Sequence, residues 1–293
     1  MNIKIFLMAV IVIIGHSCKK NSLALDSTED EVSKVKTALV KLGFDTASAI
    51  IKGEDIFVEG DILLKKSELF KTQSRHATAF SGGPFVIYEN PIKFYVSPVL
   101  GNSSVITEAL NEFSAIKNPY KDTNLPPFLN PSLGITFTEV FNENEANLIF
   151  HDFFENSIRL GYAQWPNVLP AENLPPPYVN HARLQTGKNM YFNTFHWSGL
   201  SISQKKFLVA HEFGHALGLR HTDWRRSEAS AMNIDGVLIG AYTVPNTPNS
   251  TTNPDPNSLF NSGAGTTPFF WNGFTIYDKV AIWFVAGGGA SAL

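Results

Sequence analysis

The spacing of apolar residues along this chain changes period several times, and each change predicts an element. Val32, Val35, Leu39 and Leu42 fall three and four apart, the spacing that lines one face of a helix, and Gly43 closes the run. Residues 55–64 read instead as a strand, broken at Gly60. From 65 to 83 the chain is polar and without period, which predicts a loose connection and a domain boundary. Beyond it, 92–97 reads as a strand and 103–116 as a helix capped by Ser103 or Ser104, with Val105, Ala109, Leu110 and Phe113 inward. Strands are expected at 135–140, 146–151 and 189–193, and a short edge strand at 162–165. A helix over 201–217 follows, with Ser201 or Ser203 as cap and Phe207, Leu208, Ala210, Leu217 and Leu219 as apolar stripe. Residues 245–265, rich in Pro, Asn, Ser and Thr, read as loop, and 277–285 as a closing helix with Val280, Ala281 and Phe284 apolar. Strand, helix, strands and a further helix predict an α+β or α/β layered unit.

The first residues do not belong to that unit. Lys4 precedes an apolar run over 5–15, too short to span a bilayer, and the small-residue site Gly15-His16-Ser17 follows. This is the order of an export signal. Cys18, the chain's one cysteine, stands directly behind it, which resembles the lipidation site of bacterial lipoproteins except that Gly15 replaces the usual leucine. A lipid anchor at Cys18, in the outer membrane or at the cell surface, is therefore expected; plain secretion after cleavage behind Ser17 is the alternative. Residues 1–18 are read as signal peptide, 19–75 as a tether and a small N-terminal segment, and 76–293 as the main domain. One cysteine leaves no internal disulfide. A net charge of -3 gives no sign of a nucleic-acid partner, and a monomer is expected.

The chemistry lies in residues 211–223, His-Glu-Phe-Gly-His-Ala-Leu-Gly-Leu-Arg-His-Thr-Asp. His211 and His215 are four apart, so on a helix both imidazoles leave one face and reach one ion. Glu212 can approach a metal-bound water without being a ligand. Gly218 lets the helix end in a sharp turn, which returns His221 as a third nitrogen. Three imidazoles with one position open make a catalytic rather than a structural zinc site.

His211, Glu212, His215, Gly218 and His221 together form the extended pattern of the metzincin metallopeptidases, which this segment resembles. Within that group the chain is most similar to the dual-action HEIGH metallo-peptidases. The likeness runs through Phe57–Leu63, His221-Thr222-Asp223-Trp224, Asp255-Pro256-Asn257-Ser258 and Tyr277-Asp278-Lys279. It implies an α+β zincin fold, a twisted, mostly parallel sheet on two long helices with a small C-terminal subdomain, preceded by a short pro-segment. It also implies a turn beneath the metal that carries a methionine. Met232 is one candidate; Phe260, in a stretch that resembles the turn more closely, is the other and is favoured. Glu59-Gly60-Asp61-Ile62 resembles the pro-segment of astacin-like metzincins, whose aspartate takes the metal's open position. Asp61 is thus a candidate latency switch, to be removed by cleavage within 71–81; a simple turn at Gly60-Asp61 is the other reading.

The function expected is hydrolysis of peptide bonds by an exported, zinc-dependent endopeptidase. One Zn2+ acidifies a bound water to a pKa of about 7. Glu212 takes the proton as general base and hands it to the leaving amine. Residues 162–165 are the candidate strand for holding extended substrate. Asp223 is expected to anchor the turn, and His151, His181, His196 and Trp224 to be structural. A surface-anchored zinc-containing binding or adhesion module without catalysis is the alternative, and a zinc hydrolase of non-peptide bonds a third reading.

Overall fold

In the computed structural model the chain is described at residues 29–42, 44, 46–71, 86–87, 89–101, 103–117, 119, 133–169, 183–223, 232–234, 237–239, 244, 246–248, 255–263 and 269–288. The signal segment, Cys18, His181 and Trp224 lie outside these residues.

The N-terminal part opens with α1 (Glu29–Lys41), acidic in its first turn and basic in its last, as the helix dipole favours. Strands β1 (Ile50–Lys52), β2 (Asp55–Val58) and β3 (Ile62–Lys65) form an antiparallel meander that ends in α2 (Lys66–Lys71). Val35, Leu39, Phe44, Ile56, Val58, Ile62, Leu64 and Leu69 bury one another, so this part has a core of its own. The 65–83 expectation needs correction here. Residues 66–71 are helical because Leu69 is drawn into that core and Glu54 Oε1 accepts the Ser67 N–H.

The larger part begins with β4 (Val86–Ile87), β5 (Ile92–Val96), α3 (Ser103–Ser114), β6 (Phe137–Glu139) and β7 (Leu148–Phe153). It continues with β8 (Gly161–Gln164), β9 (Asn167–Leu169), β10 (Arg183–Gln185), β11 (Asn189–Asn193), α4 (Thr194–Trp197) and α5 (Ile202–Ala216). A hairpin of β12 (Met232–Ile234) and β13 (Val237–Ile239) and the helix α6 (Ile276–Trp283) close it. The main sheet has the order β1-β2-β3-β8-β11-β7-β5-β6. Its β11-β7-β5-β6 block is parallel, and β8 runs antiparallel to β11. Helices α3 and α5 share a core with this sheet through Phe94, Phe113, Phe150, Phe192 and Phe213, with Phe113 and Phe213 edge to face at 4.8 Å. The protein is thus α+β, with a mostly parallel sheet packed on helices. Strands β4, β10 and β9 form a small second sheet.

The structure corrects one further expectation. The segment 162–165 is not an edge: β3 pairs in parallel along the outer side of β8, Ile62 opposite Ala163 and Leu63 opposite Gln164. An exposed row of N–H and C=O groups recruits a strand when one is at hand, and this one comes from far upstream. The closing helix starts at Ile276 under a Thr275 cap, and it buries Val280, Ile282 and Trp283, leaving Ala281 and Phe284 only half-buried. Among the described residues no helix is long and apolar enough to cross a membrane.

Candidate active site

Helix α5 is started by a reciprocal cap. Ser201 Oγ accepts the Gln204 N–H, and Gln204 Oε1 accepts the Ser201 N–H. Ser203, the other candidate cap, instead accepts the Trp271 N–H. At the far end Gly218 takes φ of 93°, which an L side chain resists, and the Leu219 N–H closes on the Gly214 carbonyl at 2.9 Å. The reversal places the Leu219 carbonyl against His215 and swings His221 toward the helix.

Three imidazoles and one carboxylate meet there. His211 Nε2 and His215 Nε2 are 3.0 Å apart. Asp61 Oδ2 lies 3.4 Å from His211 Nε2, and Asp61 Oδ1 lies 3.5 Å from His215 Nε2 and 3.3 Å from His221 Nε2. One ligand atom from each of the four falls within 4.8 Å of the others, and all four residues are buried. The outer nitrogens decide what this arrangement holds. His211 Nδ1 donates to the Leu259 carbonyl at 2.8 Å and His215 Nδ1 to the Leu219 carbonyl at 2.6 Å. A carbonyl only accepts, so each Nδ1 bears a hydrogen, and in the neutral form each ring turns a bare Nε2 lone pair inward. Two such lone pairs 3.0 Å apart, with a carboxylate beside them, repel unless a cation lies among them. Asp61 Oδ1 and His221 Nε2 are also buried without a hydrogen-bond partner. Three nitrogens and an oxygen are a donor set that suits zinc.

The charges respond to this crowding. Burial lowers the pKa of His215 to about 3, overriding the pull of Asp61. Burial opposes the charge on Asp61, yet His221 and His215 hold its carboxyl well below the usual range. Burial would lower His221 too, but Asp61 and Glu59 raise it well above an ordinary histidine.

Glu212 is fully buried, and neither of its carboxylate oxygens has a hydrogen-bond partner. Burial first, and the Asp61 charge second, push its pKa well above that of an ordinary glutamate. It sits under the start of β8, where a Cβ on Gly161 would lie 3.2 Å from Glu212 Oε1.

Beneath the histidines lies a turn that carries Phe260. Its ring faces His211 at 6.3 Å and abuts Gly214 so closely that a Cβ there would lie 2.0 Å from Phe260 Cε1. Met232 stands instead in the β12–β13 hairpin, opposite Ile239. Asp223 accepts the Ser262 N–H and hydroxyl. His151 bonds Asn189 at 2.8 Å, and His196 bonds the Ser157 carbonyl at 2.6 Å.

Sequence reasoning passed over three residues. The buried Asp278 carboxylate accepts from the Ser258 hydroxyl and the Leu259 N–H, and so fixes the carbonyl that orients His211. Glu59, at φ of 54°, ion-pairs with Arg220 beside the site, with the Arg220 Nε–H donating to Glu59 Oε1 at 2.5 Å. Burial would raise the Glu59 carboxyl, but Arg220 and His221 hold it at about 2. The tripeptide Glu59-Gly60-Asp61 was a visible signal for Asp61, and Tyr277-Asp278-Lys279 marked Asp278 without showing its role; Arg220 had no signal, because its partner is distant in sequence.

Residues 187–282 match the model of a family described as dual-action HEIGH metallo-peptidase. No curated protein matches the chain. Two solved structures of myroilysin align with it. One is 18% identical over 68% of this chain and 85% of its own, with a TM-score of 0.35. The other is 17% identical over 68% and 94%, with a TM-score of 0.33.

Proposed function

We propose, from the premise that residues 187–282 belong to the dual-action HEIGH metallo-peptidases and that the chain is a metallopeptidase acting on proteins or peptides, that it is a zinc endopeptidase made as a latent precursor. The observation that carries this is the trio of inward Nε2 atoms with a buried, unbonded Glu212 beside it. His211, His215 and His221 would hold the zinc. Bound there, zinc polarises a carbonyl oxygen and acidifies a water. Glu212 holds and moves the proton: its raised pKa suits a carboxylate that takes one and releases it to the leaving amine. Asp61 would take the fourth position around a zinc held there, and β3 pairs along the edge of β8, where extended substrate is to be held. Both are therefore to be vacated before substrate enters, which fits a division into tether and pro-segment (19–75) and catalytic domain (76–293). Export by residues 1–18, with lipidation at Cys18 or else secretion, completes the reading.

One observation favours a second reading. With Asp61 in place all four positions around a zinc held there would belong to the protein, as in structural zinc sites, and a binding module could keep the metal in that form. Residues 19–293 and a Glu212→Ala twin distinguish the two. The peptidase reading expects one zinc in each protein, and casein cleavage only by the first once 71–81 is cut. Zinc in both, with no cleavage after that cut, selects the binding module.

A further inference from the structure

We propose that the face around the metal site is a protein-binding surface whose partner is the excised pro-segment, and that residues 29–71 stay seated as a non-covalent inhibitor after the chain is cut. The inference rests on the latent-peptidase reading above. Cutting within 71–81 hydrolyses one peptide bond and adds one water across it, leaving a new carboxylate and a new ammonium. None of the contacts that seat the pro-segment depends on that bond.

The first support is that the N-terminal part does not borrow its fold. Its core is made by α1, β2, β3, α2 and Phe44, and among the described residues Trp165 is the one hydrophobic side chain of the larger part packed against it. The second is the variety of the seat. The Ala163 N–H donates to the Asp61 carbonyl at 3.0 Å and the Trp165 N–H to the Leu63 carbonyl at 2.8 Å, so release bares a sheet edge. The Glu59–Arg220 pair is nearly sealed from water, its side chains 2% and 4% exposed, and the Arg220 guanidinium also lies 4.5 Å over the Phe44 ring. Phe57 packs edge to face on Tyr162 at 5.1 Å, with Arg159 over the Phe57 ring at 4.6 Å. Asp61 adds a carboxylate to the histidines.

These contacts differ in kind, and no one of them carries the seat alone. Cutting the connection only replaces an effective concentration in the millimolar range, roughly, by the bulk one. A ladder, a desolvated ion pair and a metal-site carboxylate together outweigh that loss at micromolar protein. Activation then takes two steps, the cut and the removal of the segment, and the pace of the second sets the onset of activity.

The test uses the full chain carrying a site for a sequence-specific protease within 71–81, loaded with zinc and cut to completion. Gel filtration at micromolar concentration reads retention; cleavage of a fluorogenic denatured protein reads inhibition. The two fragments are expected to co-elute at equal stoichiometry, with the cut sample as silent as the uncut. Dilution or digestion of the small fragment is expected to release Glu212-dependent activity. In the same protein Glu59→Gln should weaken retention at least about tenfold, because Arg220 would keep a buried charge facing a neutral partner. Separation of the fragments on cutting, or full activity of the co-eluting pair, overturns the proposal. Elution answers the question of retention without any activity. A large fragment that is inactive even when isolated and zinc-loaded sinks the peptidase reading instead.

Discussion

At the residue scale, a few atoms decide the chemistry, and most of them act by what they exclude. Gly161 leaves room for Glu212: a Cβ there would meet the Tyr191 carbonyl at 3.0 Å and Glu212 Oε1 at 3.2 Å. If Glu212 moves the proton as proposed, Gly161→Ala is expected to displace its carboxylate and cut turnover about tenfold with zinc content unchanged, since small misplacement of such a group is costly. Normal turnover in that variant would mean that Glu212 has slack. Phe260 and Gly214 form a second dependent pair, because the ring occupies the space of the missing Cβ. Gly214→Ala should destabilise the fold by about 1–3 kcal/mol, as overpacking does, and Phe260→Met should recover part of that loss in the double variant. Thermal unfolding of the four proteins measures the coupling, and purely additive effects would show that the contact is not felt. His211, Glu212, His215 and His221 were legible in sequence because helical periodicity and one glycine turn relate them locally.

At the scale of elements, the termini of helices carry the site. The α6 N-terminus presents Asp278, whose carboxylate holds Ser258 and Leu259, and the Leu259 carbonyl in turn holds His211. Asp278→Ala is expected to lower zinc affinity by about tenfold or more, as loss of a ligand's orienting partner does. It should also reduce stability by about 3 kcal/mol, because donors are left unpaired. Chelator competition and denaturant unfolding read the two effects separately; loss of stability with full zinc affinity would confine Asp278 to folding. The other end of α5 is simpler. Ser201→Ala removes one half of the reciprocal cap and should cost about 1 kcal/mol with no change in zinc binding. The sequence pattern located α3, α5 and the middle strands because each has a strong period. It missed β9, β10 and β12, whose two or three paired residues carry no period.

At the scale of the molecule, the candidate metal site draws on two separately packed parts: three donors come from the larger part and one from the smaller. Zinc bound across that junction should stabilise the full chain by about 4 kcal/mol when free zinc exceeds the dissociation constant a thousandfold. Asp61→Ala should shrink the zinc-dependent rise in melting temperature. An unchanged rise would show that Asp61 contributes nothing to holding the ion. The chemistry, three imidazoles, a glutamate and the glycine that turns the chain, was determined by the sequence itself, because those residues are neighbours along one helix and its exit. Only the tertiary structure decided that 162–165 is a covered strand, that Glu59 locks onto Arg220, and that Asp278 steadies His211. Each is a contact between residues far apart in the chain, and periodicity records which face a residue turns inward but not which distant residue it meets there.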